Sequence, residues 1–262
     1  MVNPPSPNKN WEEKVEMEKI KKTIYTLALK GYAPELIAVT FKLMKRYADK
    51  IGADFVVIEE RKFPDKYPTY EKFQIWDMMK ERGDDWSFFF DADTMIHPDM
   101  FDVTTVLGKE TTCAGYSHDF TPLRFRPDAK FMRDGRYIGK GSWFILCSDW
   151  TRDIWHPVDD SDMTYAQCVE NIFPTNDEVI KIKKTPESLI DDYVVSRNIA
   201  KYGLKHTVLS EVCQKFSIQI GVELIQNNQK IISPYLQHDY NRPLDQKLIW
   251  TEQVLRMWGV TL

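Results

Sequence analysis

The chain has 262 residues, enough to bury a substantial core as one large α/β unit or two small ones, and its hydrophobic fraction of 43% beside a charged fraction of 28% excludes disorder and a fibrous class. A formal net charge of −4 provides no global positive field of the kind that duplex nucleic acid binding requires, so nucleic acid is a less expected partner. Four scattered cysteines without a C-x-x-C pair, an N-terminus lacking an apolar signal segment and no apolar run of ~18 residues lead to the expectation of a cytoplasmic protein with reduced thiols and no membrane span.

Residues 1–20 are expected to be flexible or partly helical, being rich in Pro and Asn before a charged stretch with helical spacing. Residues 23–29 (Thr-Ile-Tyr-Thr-Leu-Ala-Leu) read as a buried strand. A helix follows from Pro34 to Gly52, with Leu36, Thr40, Leu43, Met44, Tyr47 and Ile51 on one stripe. Residues 55–58 give a second strand. Residues 70–82 read as a helix with Phe73, Trp76 and Met79 on one face and Gly83 at its end, and residues 86–90 as a third strand. This β-α-β-α-β order predicts a mostly parallel sheet flanked by helices, which binds ligands beyond the carboxyl ends of its strands. Asp91-Ala92-Asp93 falls at one such end.

The second half is less regular. Strands are expected at 111–116, 143–147 and 206–209, a hairpin around Asn227-Asn228, and a helix from Thr185-Pro186 to Gly203. Cys147 reads as a core residue. The aromatic fraction of 13% supplies packing units and also flat faces suited to sugars and bases.

Two carboxylates one residue apart after a buried strand have a defined chemical use: hard oxygen ligands hold Mg²⁺ or Mn²⁺, which neutralises a diphosphate. Phe88-Phe89-Phe90 delivers them rigidly to the sheet rim. With this motif the chain resembles the GT-A-fold glycosyltransferases over roughly residues 23–240, most specifically from Tyr70-Glu71-Lys72-Phe73 through Asp91-Ala92-Asp93-Thr94. The resemblance implies an α/β, Rossmann-type GT-A-like fold with a nucleotide-sugar-binding half at 21–118 and a less regular acceptor-binding half at 119–262. It implies a hexosyl- or pentosyltransferase using a nucleotide-diphosphate sugar, in particular a UDP-sugar, with Mn²⁺ or Mg²⁺. Leu27, Ala28 and Tyr32 would border the base, Lys72 would approach the donor, and Asp91 and Asp93 would bind ribose and the metal-diphosphate.

The same resemblance places Gly141 and Trp143, within Gly139-Lys140-Gly141-Ser142-Trp143, at the sugar and acceptor site, and makes His238 a third metal ligand beside Asp91 and Asp93. Leu189-Ile190-Asp191-Asp192-Tyr193 resembles the acidic motif near the acceptor, with Asp in place of the more usual Glu at the first acidic position. On a helical projection Asp191 lies nearly opposite the apolar face and Asp192 on its border, making Asp192 the catalytic-base candidate in an inverting reaction and Asp191 an acceptor contact. In a retaining reaction Asp192 would orient substrate or stabilise charge. The acceptor hydroxyl could belong to a glycan, lipid-linked saccharide, protein, metabolite or modified nucleobase. The competing readings are a sugar-nucleotide or nucleotidyl transferase, against which stands the scarcity of glycine after the first strand, and a noncatalytic carbohydrate-binding protein on the same fold.

Overall fold

The computed structural model describes residues 20–115, 132–133, 136–137, 141–172, 185–216, 225–226, 229–230, 236–238 and 243–262. The expectations for residues 1–19 and for Tyr116, Gly139, Lys140, Asn227 and Asn228 lie outside these residues. Strand β1 (Lys22–Leu27) ends two residues earlier than expected. Helix α1 (Pro34–Ile51) opens on Pro34, buries the whole predicted stripe and stops at Gly52, whose φ of 67° suits a residue without a Cβ. Strand β2 (Asp54–Ile58) follows.

The helix expected over 70–82 is split into a 3₁₀ segment (Pro68–Gln74) and α2 (Ile75–Arg82). The fully buried Glu71 accounts for how tightly the 3₁₀ segment is held. Its carboxylate accepts the N–H groups of Lys62 (2.8 Å) and Phe63 (3.1 Å), Arg61 Nε (3.1 Å) and Gln74 Nε2 (2.8 Å), pinning the preceding loop to this turn.

Strand β3 (Trp86–Asp91) turns at Ala92-Asp93 into the short β4 (Thr94–Ile96). Next come β5 (Thr111–Ala114), the pair β6 (Met132–Arg133) and β7 (Arg136–Tyr137), and β8 (Phe144–Ser148). Helices α3 (Tyr165–Glu170) and α4 (Ile190–Lys201) precede β9 (Lys205–Thr207) and α5 (Leu209–Lys215). Strands β10 (Ile225–Gln226) and β11 (Gln229–Lys230) pair antiparallel with Gln226 opposite Gln229. Finally β12 (Leu236–His238) pairs with β4, and α6 (Leu244–Trp258) packs on α1.

Six strands form one sheet in the order β2-β1-β3-β8-β5-β9, with only β8 antiparallel to its neighbours. The period-two alternation of a strand divides the core. Phe88 and Phe90 point towards α1, where both meet Tyr47 edge-on, while Phe89 points to the opposite face and meets Trp155. Tyr70, Phe73, Tyr193 and Val194 complete that second face. All four cysteines are buried free thiols, and burial pushes the Cys147 thiol up to about 12. No helix among the described residues is long and apolar enough to cross a membrane.

One expectation is corrected. Helix α4 has no separate polar face opposite its apolar one: every residue from Ile190 to Ile199 is buried, because three 3₁₀ segments (Pro68–Gln74, Asp149–Trp155 and Pro186–Leu189) pack around it. Asp191 therefore does not face water. Even Arg197 is enclosed, its Nη2 lying 2.9 Å from both oxygens of Asp160.

On the α1 side, α6 is anchored by Trp250 and Val254 against Leu43 and Met95, and Trp258 lies 5.1 Å from the ring of His97. His97 Nδ1 accepts the Asp99 N–H (3.0 Å). Burial, with a smaller contribution from Lys50, holds the His97 pKa below the ordinary histidine value despite Asp99. The unfolded chain therefore takes up this proton first, so stability is full above an unfolded pKa of ~6.5 and declines as pH falls towards the folded value. Urea titrations between pH 7 and 5 are expected to show this decline, and His97→Gln is expected to flatten it; an unchanged slope in the variant would assign the effect elsewhere.

Candidate functional site

Strands β1 and β3 end side by side, with Leu27 paired to Asp91, at the place where the strand order reverses. The Asp91 N–H donates to the Trp143 carbonyl (2.9 Å), which joins the residues before β8 to the same rim. Alternation along β3 puts Asp91 on the face of Phe89, and there it meets Lys72.

Lys72 is the hub of the site. It is 3% exposed, its ammonium 4.9 Å from the centroid of Phe89, and it reaches Asp91 Oδ1 (2.7 Å), Asp191 Oδ2 (2.6 Å) and Ser142 Oγ (3.1 Å). Burial alone would lower its pKa, but the Asp191 and Asp91 carboxylates outweigh that and hold it above the ordinary lysine range. The ammonium is thus charged throughout the neutral range. Through it Asp91 of β3 and the acid pair of α4, about a hundred residues apart in sequence, form one cluster.

Ser142 completes the cluster, and sequence reasoning had not assigned it a role. Its N–H donates to Asp192 Oδ1 (2.8 Å), and its Oγ lies 2.7 Å from Asp191 Oδ2 and 3.0 Å from Asp192 Oδ1. The one hydroxyl proton serves one of these carboxylates at a time. The available signal was a small hydroxyl residue directly after Gly141, which is itself buried. Trp143 is half-buried, its ring beside Phe144 at 6.1 Å.

Asp93 turns the other way. It is 6% exposed and ion-paired with Lys247 of α6, a partner that no local motif announces. The turn between the two acids is held by Thr40 of α1, whose hydroxyl donates to the Ala92 carbonyl (2.6 Å). Tyr32 is 41% exposed, and burial, followed by Asp93 and Asp91, raises its pKa above the ordinary tyrosine value. Leu27 is half-buried against the core, while Ala28 is buried, its N–H bonded to the Ile58 carbonyl (3.0 Å). The backbone of His238 pairs with Thr94, the residue after Asp93, while its side chain lies outside the described residues.

Among the described residues no group of three or more His, Cys, Asp or Glu side chains is arranged to hold a metal ion. In donor chemistry the two motif carboxylates suit the implied Mg²⁺ or Mn²⁺, which commonly takes one or two protein carboxylates and completes its shell with substrate phosphates and water, while in this structure Asp91 is paired with Lys72 and Asp93 with Lys247. Both acids are hard oxygen donors on a short turn fixed at each end by strand pairing.

No protein-family model matches the chain, and no curated protein matches it significantly. Among solved structures, a glycosyltransferase involved in the glycosylation of the major capsid of PBCV-1 superposes with a TM-score of 0.50 at 9% identity, covering 89% of this chain and 100% of that one. A protein from STIV matches over 51% of this chain and 67% of its own, at 17% identity and a TM-score of 0.32, too low to bear on the architecture. The first likeness shows the fold: a six-stranded, mostly parallel sheet flanked by helices.

Proposed function

We propose that this chain is a GT-A-type glycosyltransferase that moves a sugar from a UDP-sugar to an acceptor hydroxyl with Mn²⁺ or Mg²⁺. One observation carries the reading. Lys72 bridges Asp91, at the carboxyl end of a parallel strand, to Asp191 beside Asp192 on a buried helix, so that the acids suited to the donor and those suited to the acceptor share one rim. The glycosyltransferase likeness over the whole of the PBCV-1 chain supports it at the level of fold.

In this reading Asp91 and Asp93, with His238, would hold the metal, which would supply charge stabilisation to the departing diphosphate. Leu27, Ala28 and Tyr32 border the nucleoside, while Gly141, Trp143 and Asp191 border the sugar and acceptor. Asp192, oriented by the Ser142 N–H, takes the proton of the attacking hydroxyl. The acceptor oxygen forms its bond to C1 as the bond from C1 to the diphosphate oxygen breaks, the electron pair leaving with UDP. The product is inverted at C1.

A panel of nucleotide sugars incubated in Mn²⁺ and assayed for released nucleoside diphosphate tests this. UDP release is expected from one or more members, falling about 10²-fold or more in Asp93→Ala, on the scale of losing a transition-state stabilising group. Release of pyrophosphate instead, or metal-dependent turnover undiminished in Asp93→Ala, would overturn the assignment.

A further inference from the structure

The pair between Lys247 and Asp93 is absorbed by neither the fold nor the proposed chemistry. Both side chains are largely buried, 12% and 9% exposed, so the ammonium and carboxylate pair with most of their water removed. Lys247 sits close to the N-terminal end of α6, where the helix dipole mildly disfavours a cation, and the Asp93 carboxylate offsets this. The helix itself is anchored elsewhere. Trp250 and Val254 pack against Leu43 and Met95, Trp258 meets His97, and Arg46 donates to the Thr261 carbonyl (2.7 Å).

We propose that Lys247 is a built-in counter-cation of the Asp91-Ala92-Asp93 turn, which exchanges Asp93 for the diphosphate of the donor when a divalent cation binds. The proposal rests on the donor chemistry proposed above and adds to it a binding residue and an order of events. A divalent cation and an ammonium at one carboxylate repel each other, so the metal must compete with Lys247 for Asp93. Because α6 is fixed by its apolar contacts, the displaced ammonium swings on its four-carbon stem and stays near the turn. The anion that arrives there with the metal is the diphosphate, and Lys247 becomes its second cation. Metal alone thus binds weakly, whereas metal and nucleotide bind together.

Isothermal titration of wild type and Lys247→Met with Mn²⁺ alone, and then with UDP in saturating Mn²⁺, tests the exchange without any turnover. The two effects are expected to have opposite sign: Mn²⁺ alone binds about tenfold more tightly to the variant, and UDP about tenfold more weakly, on the scale of one charged contact. Lys247→Arg is expected to keep the wild-type pattern. Thermal melting supplies a second readout, since Lys247→Met leaves Asp93 without its ammonium and should gain more in Tm from Mn²⁺ than wild type does. Weakening of both affinities would mark a purely structural role, and UDP affinity equal in the two proteins would overturn the exchange alone. Absence of UDP binding in both, with Mn²⁺ present, would overturn the donor reading and the exchange with it.

Discussion

Lys72→Met is expected to lower the unfolding free energy by about 3–5 kcal/mol and to abolish binding of UDP with Mn²⁺, the magnitude being that of leaving buried charge uncompensated. The substitution keeps about the length of the side chain and puts a thioether methyl where the ammonium lay over the Phe89 ring, so the loss is chiefly electrostatic. What it leaves behind is the reason for the size. Asp91 and Asp191 both point at the vacated position, and Asp191 lies within a helix that is buried along its length. One of these carboxylates must then bind a proton or recruit water, and the rim where the donor is expected to bind is distorted in either case. Urea denaturation at neutral pH gives the stability and calorimetry gives the binding. Lys72→Met/Asp191→Asn is expected to recover part of the stability, because it removes one of the two stranded charges, but none of the UDP affinity. Wild-type stability in the single variant would mean that the three groups do not form a buried ionic bridge.

The strand end that carries Asp91 could be anticipated from local patterns, whereas its bridge through Lys72 to Asp191 could not. The continuous burial of Phe88, Phe89 and Phe90 in a central strand, and the stripe from Leu36 to Ile51 at the helix period, locate the rim that carries Asp91. The short strand β4 escaped notice because its stability comes from pairing with Leu236–His238, some 140 residues later, and three residues carry too little periodicity to declare it. The orientation of Asp191 was misread for a related reason. A helical projection assumes one wet face, whereas α4 is enclosed on every side, and the polarity of its buried face is balanced by Lys72 and Ser142 from distant segments. Lys247 left a faint signal, a cation near the helix end that disfavours it, but the identity of its partner depended on how α6 docks on α1.

Asp192→Asn is expected to reduce sugar transfer by about 10²–10⁴-fold, the usual range for losing a general base, with UDP–Mn²⁺ affinity unchanged. The amide side chain can keep its oxygen on the Ser142 N–H, so the geometry of the loop survives while the capacity to take a proton is lost. This separates Asp192 from Asp191, which is tied to Lys72 and whose replacement should disturb stability and donor binding together. Ser142→Ala refines the assignment. It keeps the N–H contact to Asp192 and removes the hydroxyl that lies 3.0 Å from the same oxygen, so a smaller loss of turnover is expected. If the hydroxyl acts by orienting the base, adding Ser142→Ala to Asp192→Asn costs nothing further, because the group it positions can no longer accept a proton. Independent, additive losses in that double variant would instead mean that the hydroxyl acts apart from Asp192, through Lys72 and Asp191 or on substrate, and full turnover in Asp192→Asn would move the base to another residue altogether.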